Sequence, residues 1–183
     1  MGVELQSYEE RKDRYLRMVL WRVFNATIFP LLPSCLRNLS LRMCGAKIGK
    51  SLVYRSVRVY APWNLEIGDW SCIGPRVELY CKDRITVGDN SVISQGSYLC
   101  TASHNVNSCN MALITKPIVI RDGVWIAAKV IVLPGVEMCS GSVAGAGSVV
   151  AKSVGSNDVV VGNPARQVST RKNEGAKFSE TLR

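Results

Sequence analysis

The chain has 183 residues, 47% of them apolar, with one histidine, seven cysteines and a formal charge of +9. That length holds one domain with a core, and the apolar share excludes a disordered chain. The cysteines, at 35, 44, 72, 81, 100, 109 and 139, lack CxxC spacing; they argue against a disulfide framework or zinc site and read as reduced thiols of a cytoplasmic protein.

Residues 8–29 predict an amphipathic helix. Leu16, Val19, Leu20, Val23, Phe24, Thr27 and Ile28 fall at helical spacing, with Arg14, Arg17, Arg22 and Asn25 around that stripe. Pro30 and Pro33 stop it, and a second short helix runs from Ser34 through Leu36, Leu39 and Met43 to Gly45. Charged EERKDR before the apolar stretch argues against a signal peptide, and Arg22 and Asn25 interrupt any membrane span. Residues 1–45 read as a helical cap over the first turn of the domain that follows, with peripheral contact at the inner face of a membrane as the second role. The basic excess supports that contact: 7 Lys/Arg against 4 Asp/Glu in residues 1–45, and 5 against 2 in residues 166–183. Such ends suit an anionic membrane or a phosphate-bearing partner.

From Ile67 the chain repeats every six residues: IGDWSC, IGPRVE, LYCKDR, then from Val87 VGDNSV, ISQGSY, LCTASH, then from Ile114 ITKPIV and onward to VAKSVG. Except at Ala144, the first place is Ile, Leu, Val or Met. Six is three times the strand period, so every first place faces one interior. Short strands punctuated by glycine turns wind into a triangular coil of about 18 residues, each coil hydrogen-bonded to the next. Sandwich turns would come every 8–12 residues instead. The register breaks after SH, and residues 105–113 are expected to leave the coil as a loop beside His104. The repeats end at GNPAR, where Asn163 and Pro164 turn the chain away, and residues 169–183 read as a flexible polar tail.

SH at 103–104, PIVIRDGVWIAAKVIVLPGV at 117–136 and GAGSVVAKSV with VVVGNPAR at 145–166 resemble the hexapeptide-repeat acyltransferases. The WNLEIGD lead-in at 63–69 and the ISQGSYLCTASH run look most like sugar and exopolysaccharide O-acetyltransferases of the colanic-acid type. The resemblance implies an all-β solenoid, a left-handed parallel β-helix over residues 46–168, with the α-helical cap before it. It implies a homotrimer with sites between subunits, acetyl-CoA as co-substrate, and no metal. The acceptor it implies is a sugar hydroxyl in exopolysaccharide or capsule synthesis, free or lipid-linked; a small free acceptor and a non-catalytic scaffold are the alternatives.

Residue by residue, the resemblance makes His104 the general base. An imidazole, with an ordinary pKa near 6.5, takes the hydroxyl proton as the oxygen attacks the thioester. It makes the Ala128 N–H the oxyanion donor, and places coenzyme A along Ala128 and Ala146 with Trp125 as a wall. It gives the coenzyme A phosphates to Lys152 and Arg166. Two positions depart from the family: Asn105 replaces an aspartate of the SHD pattern, and Cys81 stands where relatives carry an asparagine near the acceptor. Both are acceptor-side candidates. A single histidine excludes a three-histidine zinc site, and no RRM, helix-turn-helix or zinc-finger signature supports a nucleic-acid partner.

Overall fold

The computed structural model describes residues 8–172; of the tail expected at 169–183, Ser169 and Thr170 are instead paired in a strand with Val159 and Asp158, and residues 173–183 lie outside the described residues. Helix α1 (Tyr8–Thr27) and helix α2 (Ser34–Met43) come first, joined by a 3-10 turn at Phe29–Leu31. Coil 1 follows, with β1 (Lys47–Ile48), β2 (Leu52–Val53) and β3 (Arg58–Val59). Coil 2 holds β4 (Leu65–Ile67), β5 (Cys72–Ile73) and β6 (Glu78–Tyr80); coil 3 holds β7 (Ile85–Val87), β8 (Val92–Ile93) and β9 (Tyr98–Cys100). A hairpin of β10 (Ala102–His104) and β11 (Leu113–Thr115) then leaves the coil. Coil 4 is β12 (Ile118–Ile120), β13 (Trp125–Ile126) and β14 (Ile131–Val132); coil 5 is β15 (Glu137–Met138), β16 (Val143–Ala144) and β17 (Val149–Val150). β18 (Asp158–Gly162) starts a sixth coil, and β19 (Ala165–Thr170) returns antiparallel along it.

Strands of successive coils pair in parallel and in register, which makes three sheets. The first contains β1, β4, β7, β12 and β15; the second β2, β5, β8, β13, β16 and β18; the third β3, β6, β9, β14 and β17. The fold is a parallel β-solenoid. Its interior holds the first-place residues, among them Ile73, Leu79, Ile93, Leu99, Ile126, Val132 and Met138, all essentially inaccessible to water. Even Ala144, the exception to the aliphatic rule, is buried.

One first-place residue is not. Ile114 is 41% exposed, because it pairs with Ser103 in the hairpin rather than entering the core. The ladder step from Ile93 to Ile126 spans 33 residues, whereas the uninterrupted step from Ile126 to Ala144 spans 18. Thus 15 residues leave the solenoid, more than the loop expected at 105–113, since the hairpin also takes Ala102–His104 and Leu113–Thr115, the first two residues of the ITKPIV hexad among them, while Ile118 and Val119 return to coil 4.

The three outer faces differ. The first sheet carries ion pairs between coils: Lys47–Glu66 at 3.0 Å and Arg121–Glu137 at 2.7 Å. The second carries an aligned row of Leu52, Cys72, Val92, Trp125 and Val143. The third carries tyrosines, with Tyr60 and Tyr80 ring centroids 4.5 Å apart and Tyr80 and Tyr98 6.4 Å apart.

The helices cover the open end of coil 1, and their side chains satisfy its carbonyls. Trp21 Nε1 donates to Val59 at 2.7 Å, Arg37 Nε to Val53 at 3.0 Å, Asn38 Nδ2 to Ser51 at 2.6 Å and Arg42 Nε to Ile48 at 2.8 Å. Buried carbonyls without such donors would each cost about 1–3 kcal/mol. Trp21, Phe29 and Leu41 are buried beneath the helices. Leu16, Leu20 and Val23 on α1, and Leu36, Leu39 and Met43 on α2, remain exposed. Among the described residues no helix is long and apolar enough to cross a membrane.

Candidate active site

His104 ends β10, opposite Leu113, and is exposed. Its Nδ1 lies 2.6 Å from the Met111 carbonyl oxygen across the hairpin. A carbonyl can only accept, so the proton of a neutral imidazole sits on Nδ1 and the lone pair on Nε2. Met111 makes this contact from a left-handed backbone, φ 45°, anchored by its N–H donating to the Ser108 carbonyl at 2.9 Å. Nothing in the sequence marks Met111, because a main-chain oxygen leaves no trace in residue types.

Asn105 does not touch the imidazole through any hydrogen bond. Its N–H donates to the Ala112 carbonyl at 2.9 Å, and its Oδ1 accepts the Asn107 N–H at 3.1 Å. The side chain builds the loop that brings Met111 back to His104. In this chain a backbone carbonyl, and not a neighbouring carboxylate, orients the imidazole.

Cys81 sits at the edge between the third and first sheets, on the coil below the hairpin root, and it is fully buried. Its Sγ donates to the Ala61 carbonyl at 3.1 Å, and the Ala61 N–H points back to Sγ at 3.3 Å. Burial pushes the thiol up to about 11. The structure thus corrects the acceptor-side placing of Cys81: this thiol packs the corner from inside. Asn64 of the WNLEIGD run braces the same corner, donating to the Cys81 and Lys82 carbonyls at 3.1 and 2.9 Å.

The other candidates lie on a different edge, between the second and third sheets. Here the turns Pro75–Arg76, Gln95–Gly96, Ala128–Lys129 and Ala146–Gly147 stack in one column. The second residue of each has positive φ: Arg76 59°, Gly96 69°, Lys129 57° and Gly147 72°. The Gly147 N–H donates to the Ala128 carbonyl at 2.9 Å, which places Ala146 directly on the next coil. The Ala128 N–H has no acceptor among the described residues and remains available to a ligand oxygen. Trp125, 49% exposed, lies beside this column with Nε1 donating to Ser94 Oγ at 3.0 Å. The β18–β19 turn continues it, tied down by the Gly162 N–H on Ser148 Oγ at 3.1 Å, and presents exposed Arg166. Lys152 does not join them. It is exposed after β17, on the edge between the third and first sheets that also carries His104.

One chain therefore brings the candidates together in two groups: His104, Asn105 and Lys152 on one edge, and Trp125, Ala128, Ala146 and Arg166 on another. The width of the third sheet separates them, roughly 17 Å for five residues at about 3.3 Å each. No group of three His, Cys, Asp or Glu side chains among the described residues is arranged to hold a metal.

No family model matches the chain. A protein of Escherichia coli (strain K12) named for an acetyltransferase role in colanic acid biosynthesis, WcaF, is 45% identical over 165 residues, covering 88% of this chain and 91% of that one. A hexapeptide-repeat acetyltransferase from Vibrio cholerae, solved in complex with acetyl-CoA, superposes with a TM-score of 0.80 at 28% identity, covering 94% of each chain. A maltose O-acetyltransferase from Clostridium difficile 630 gives a TM-score of 0.73 at 27% identity, over 91% of this chain and 90% of that one.

Proposed function

From the premise that this chain belongs to the hexapeptide-repeat acetyltransferases, enzymes that draw on acetyl-CoA, we propose that it acetylates a sugar hydroxyl in surface-polysaccharide synthesis with His104 as general base. The observation that carries this reading is the 2.6 Å contact of His104 Nδ1 with the Met111 carbonyl, which in the neutral imidazole puts the proton on Nδ1 and the lone pair on Nε2. Nε2 takes the hydroxyl proton as the sugar oxygen bonds to the thioester carbon. The Ala128 N–H receives the oxyanion that forms. Collapse breaks the carbon–sulfur bond, and the imidazolium returns its proton to the departing thiolate. The relative's role in colanic acid biosynthesis supports the polysaccharide setting.

The separation of the two groups supports a homotrimer. A base on one edge and an oxyanion donor on another meet when the first edge of one chain faces the second edge of its neighbour. Coenzyme A then lies between them, with Trp125 as wall and with Arg166 and Lys152 contributed to its phosphates from the two sides. His104→Ala is expected to lower kcat by about 10²–10⁴ while leaving acetyl-CoA affinity unchanged. A variant within about threefold of wild type would exclude His104 as the base.

A further inference from the structure

A cavity of about 860 Å³ lies between α1 and the third sheet, at the lower end of the edge whose upper end carries Ala128 and Ala146. Four arginines line it: Arg22, Arg55, Arg58 and Arg76. Arg58 is paired with Glu78 at 3.0 Å, and the Arg22 guanidinium lies over the Tyr60 ring, 4.9 Å from its centroid. Arg55 and Arg76 stand on adjacent rungs of the corner column and have no acidic partner among the described residues. Two unpaired like charges on the wall of one cavity make it a favourable place for an anion. From the helix side, Asn25 reaches the same cavity one turn after Arg22, and its buried Oδ1 has no hydrogen-bond partner; turned over, the amide offers N–H donors.

The cavity also shares a backbone link with the proposed catalytic hairpin. Tyr80 lines it, and the Tyr80 carbonyl accepts both the N–H of Thr101 at 3.2 Å and its hydroxyl at 2.8 Å. Thr101 is the residue from which β10 departs, three positions before His104. An acceptor gripped among the arginines and laid across the Tyr80 ring would run along the third sheet toward the edge that carries His104.

We infer that this cavity is a diphosphate subsite, and that the sugar reaches the enzyme as a glycosyl diphosphate. Guanidinium forks match phosphate oxygens in geometry and charge, and four of them against one glutamate exceed what a neutral sugar or a single carboxylate needs. The assignment rests on the acetyl-transfer reading above. It deepens that reading by giving the acceptor a chemical class, whose carrier beyond the diphosphate is a nucleoside or a lipid.

The test uses the full chain saturated with coenzyme A, so that the coenzyme's own phosphates cannot fill the cavity, and inorganic diphosphate as the titrated probe. The double variant Arg55→Ser with Arg76→Asn removes the unpaired charges, and asparagine tolerates the left-handed backbone at position 76. The wild type is expected to bind diphosphate, and the variant to lose at least about tenfold in affinity with coenzyme A binding and melting temperature unchanged. Equal affinity in the two proteins, or no binding to the saturated wild type, overturns the subsite. A second arm compares acetyl transfer to a free sugar, a uridine diphosphate sugar and a short-chain polyprenyl diphosphate sugar. One of the two diphosphates is expected to exceed the free sugar about tenfold in kcat/KM, to lose that advantage in the variant, and so to identify the carrier. Equal use of all three overturns the inference. Diphosphate binding without transfer to any sugar would uphold the anion subsite and strike the acetyl-transfer reading instead.

Discussion

His104 and Asn105 are neighbours in sequence with separate tasks in space: one faces outward with its tautomer set, the other ties the loop that sets it. The histidine was legible because it stands where a six-residue register breaks. Its orienting partner was not, because Met111 contributes an oxygen that every residue has. Cys81 was legible as a departure from a pattern but not as a core residue, since residue type alone does not tell which side of a corner it faces. Its burial has a measurable consequence. An exposed thiol ionises near pH 8.5, whereas Cys81 is held up to about 11. The unfolded chain therefore ionises first. The stabilisation is complete below about pH 8.5 and is lost as pH rises toward 11, a fall of up to about 3 kcal/mol. Urea unfolding across that range is expected to show this slope in the wild type and a shallower one in Cys81→Ala; parallel slopes would count against it. Arg166→Ala and Lys152→Ala are each expected to raise KM for acetyl-CoA, more at low salt than at high, and initial rates at two ionic strengths check this.

At the level of elements, the sequence of α1 shows one apolar stripe for two roles, capping the solenoid and meeting a membrane. The structure divides the labour between two faces. Trp21, absent from the expected stripe, is the buried anchor, because its ring fills the end of the core while its N–H reaches the Val59 carbonyl. Leu16, Leu20 and Val23 belong to the stripe and stay exposed, so capping does not consume them. Leu36, Leu39 and Met43 of α2 are exposed as well, and we propose that these side chains are what would meet a membrane surface. Leu16→Ser with Leu20→Ser is expected to abolish flotation with vesicles containing anionic lipid while leaving the melting temperature within a few degrees, since exposed sites cost about 0.5 kcal/mol or less. If wild type fails to float with any lipid composition, the helices are a cap alone. The hairpin was half legible. The broken register announced a departure, but ITKPIV keeps the hexad pattern by chance, and only strand pairing shows Ile114 to be outside the core.

The whole solenoid was the most legible feature, because a period of six admits one interior and each first-place side chain reports on it independently. What one chain's sequence does not disclose is which edges face one another, since that is decided by surfaces meeting rather than by a repeat. The two groups of candidate residues make the question testable by mixing. His104→Ala chains and Ala128→Phe chains, each inactive alone, are expected on co-refolding to recover about a quarter of wild-type activity, the share of interfaces that receive both intact edges when chains assemble at random into a ring. No recovery, with trimers verified by light scattering, would mean that each site is built within one chain.

Rungs of this kind carry no instruction to stop. Each offers the next the same spacing of amides and carbonyls, as the growing end of a polymer offers itself to monomer, and a second molecule serves as well as another repeat. Side chains of Trp21, Arg37, Asn38 and Arg42 already hold carbonyls of coil 1 that an added rung would seek. The N-terminal helices are in this sense a chain terminator: they fix the length of the solenoid at one end, and with it a discrete particle instead of a fibre.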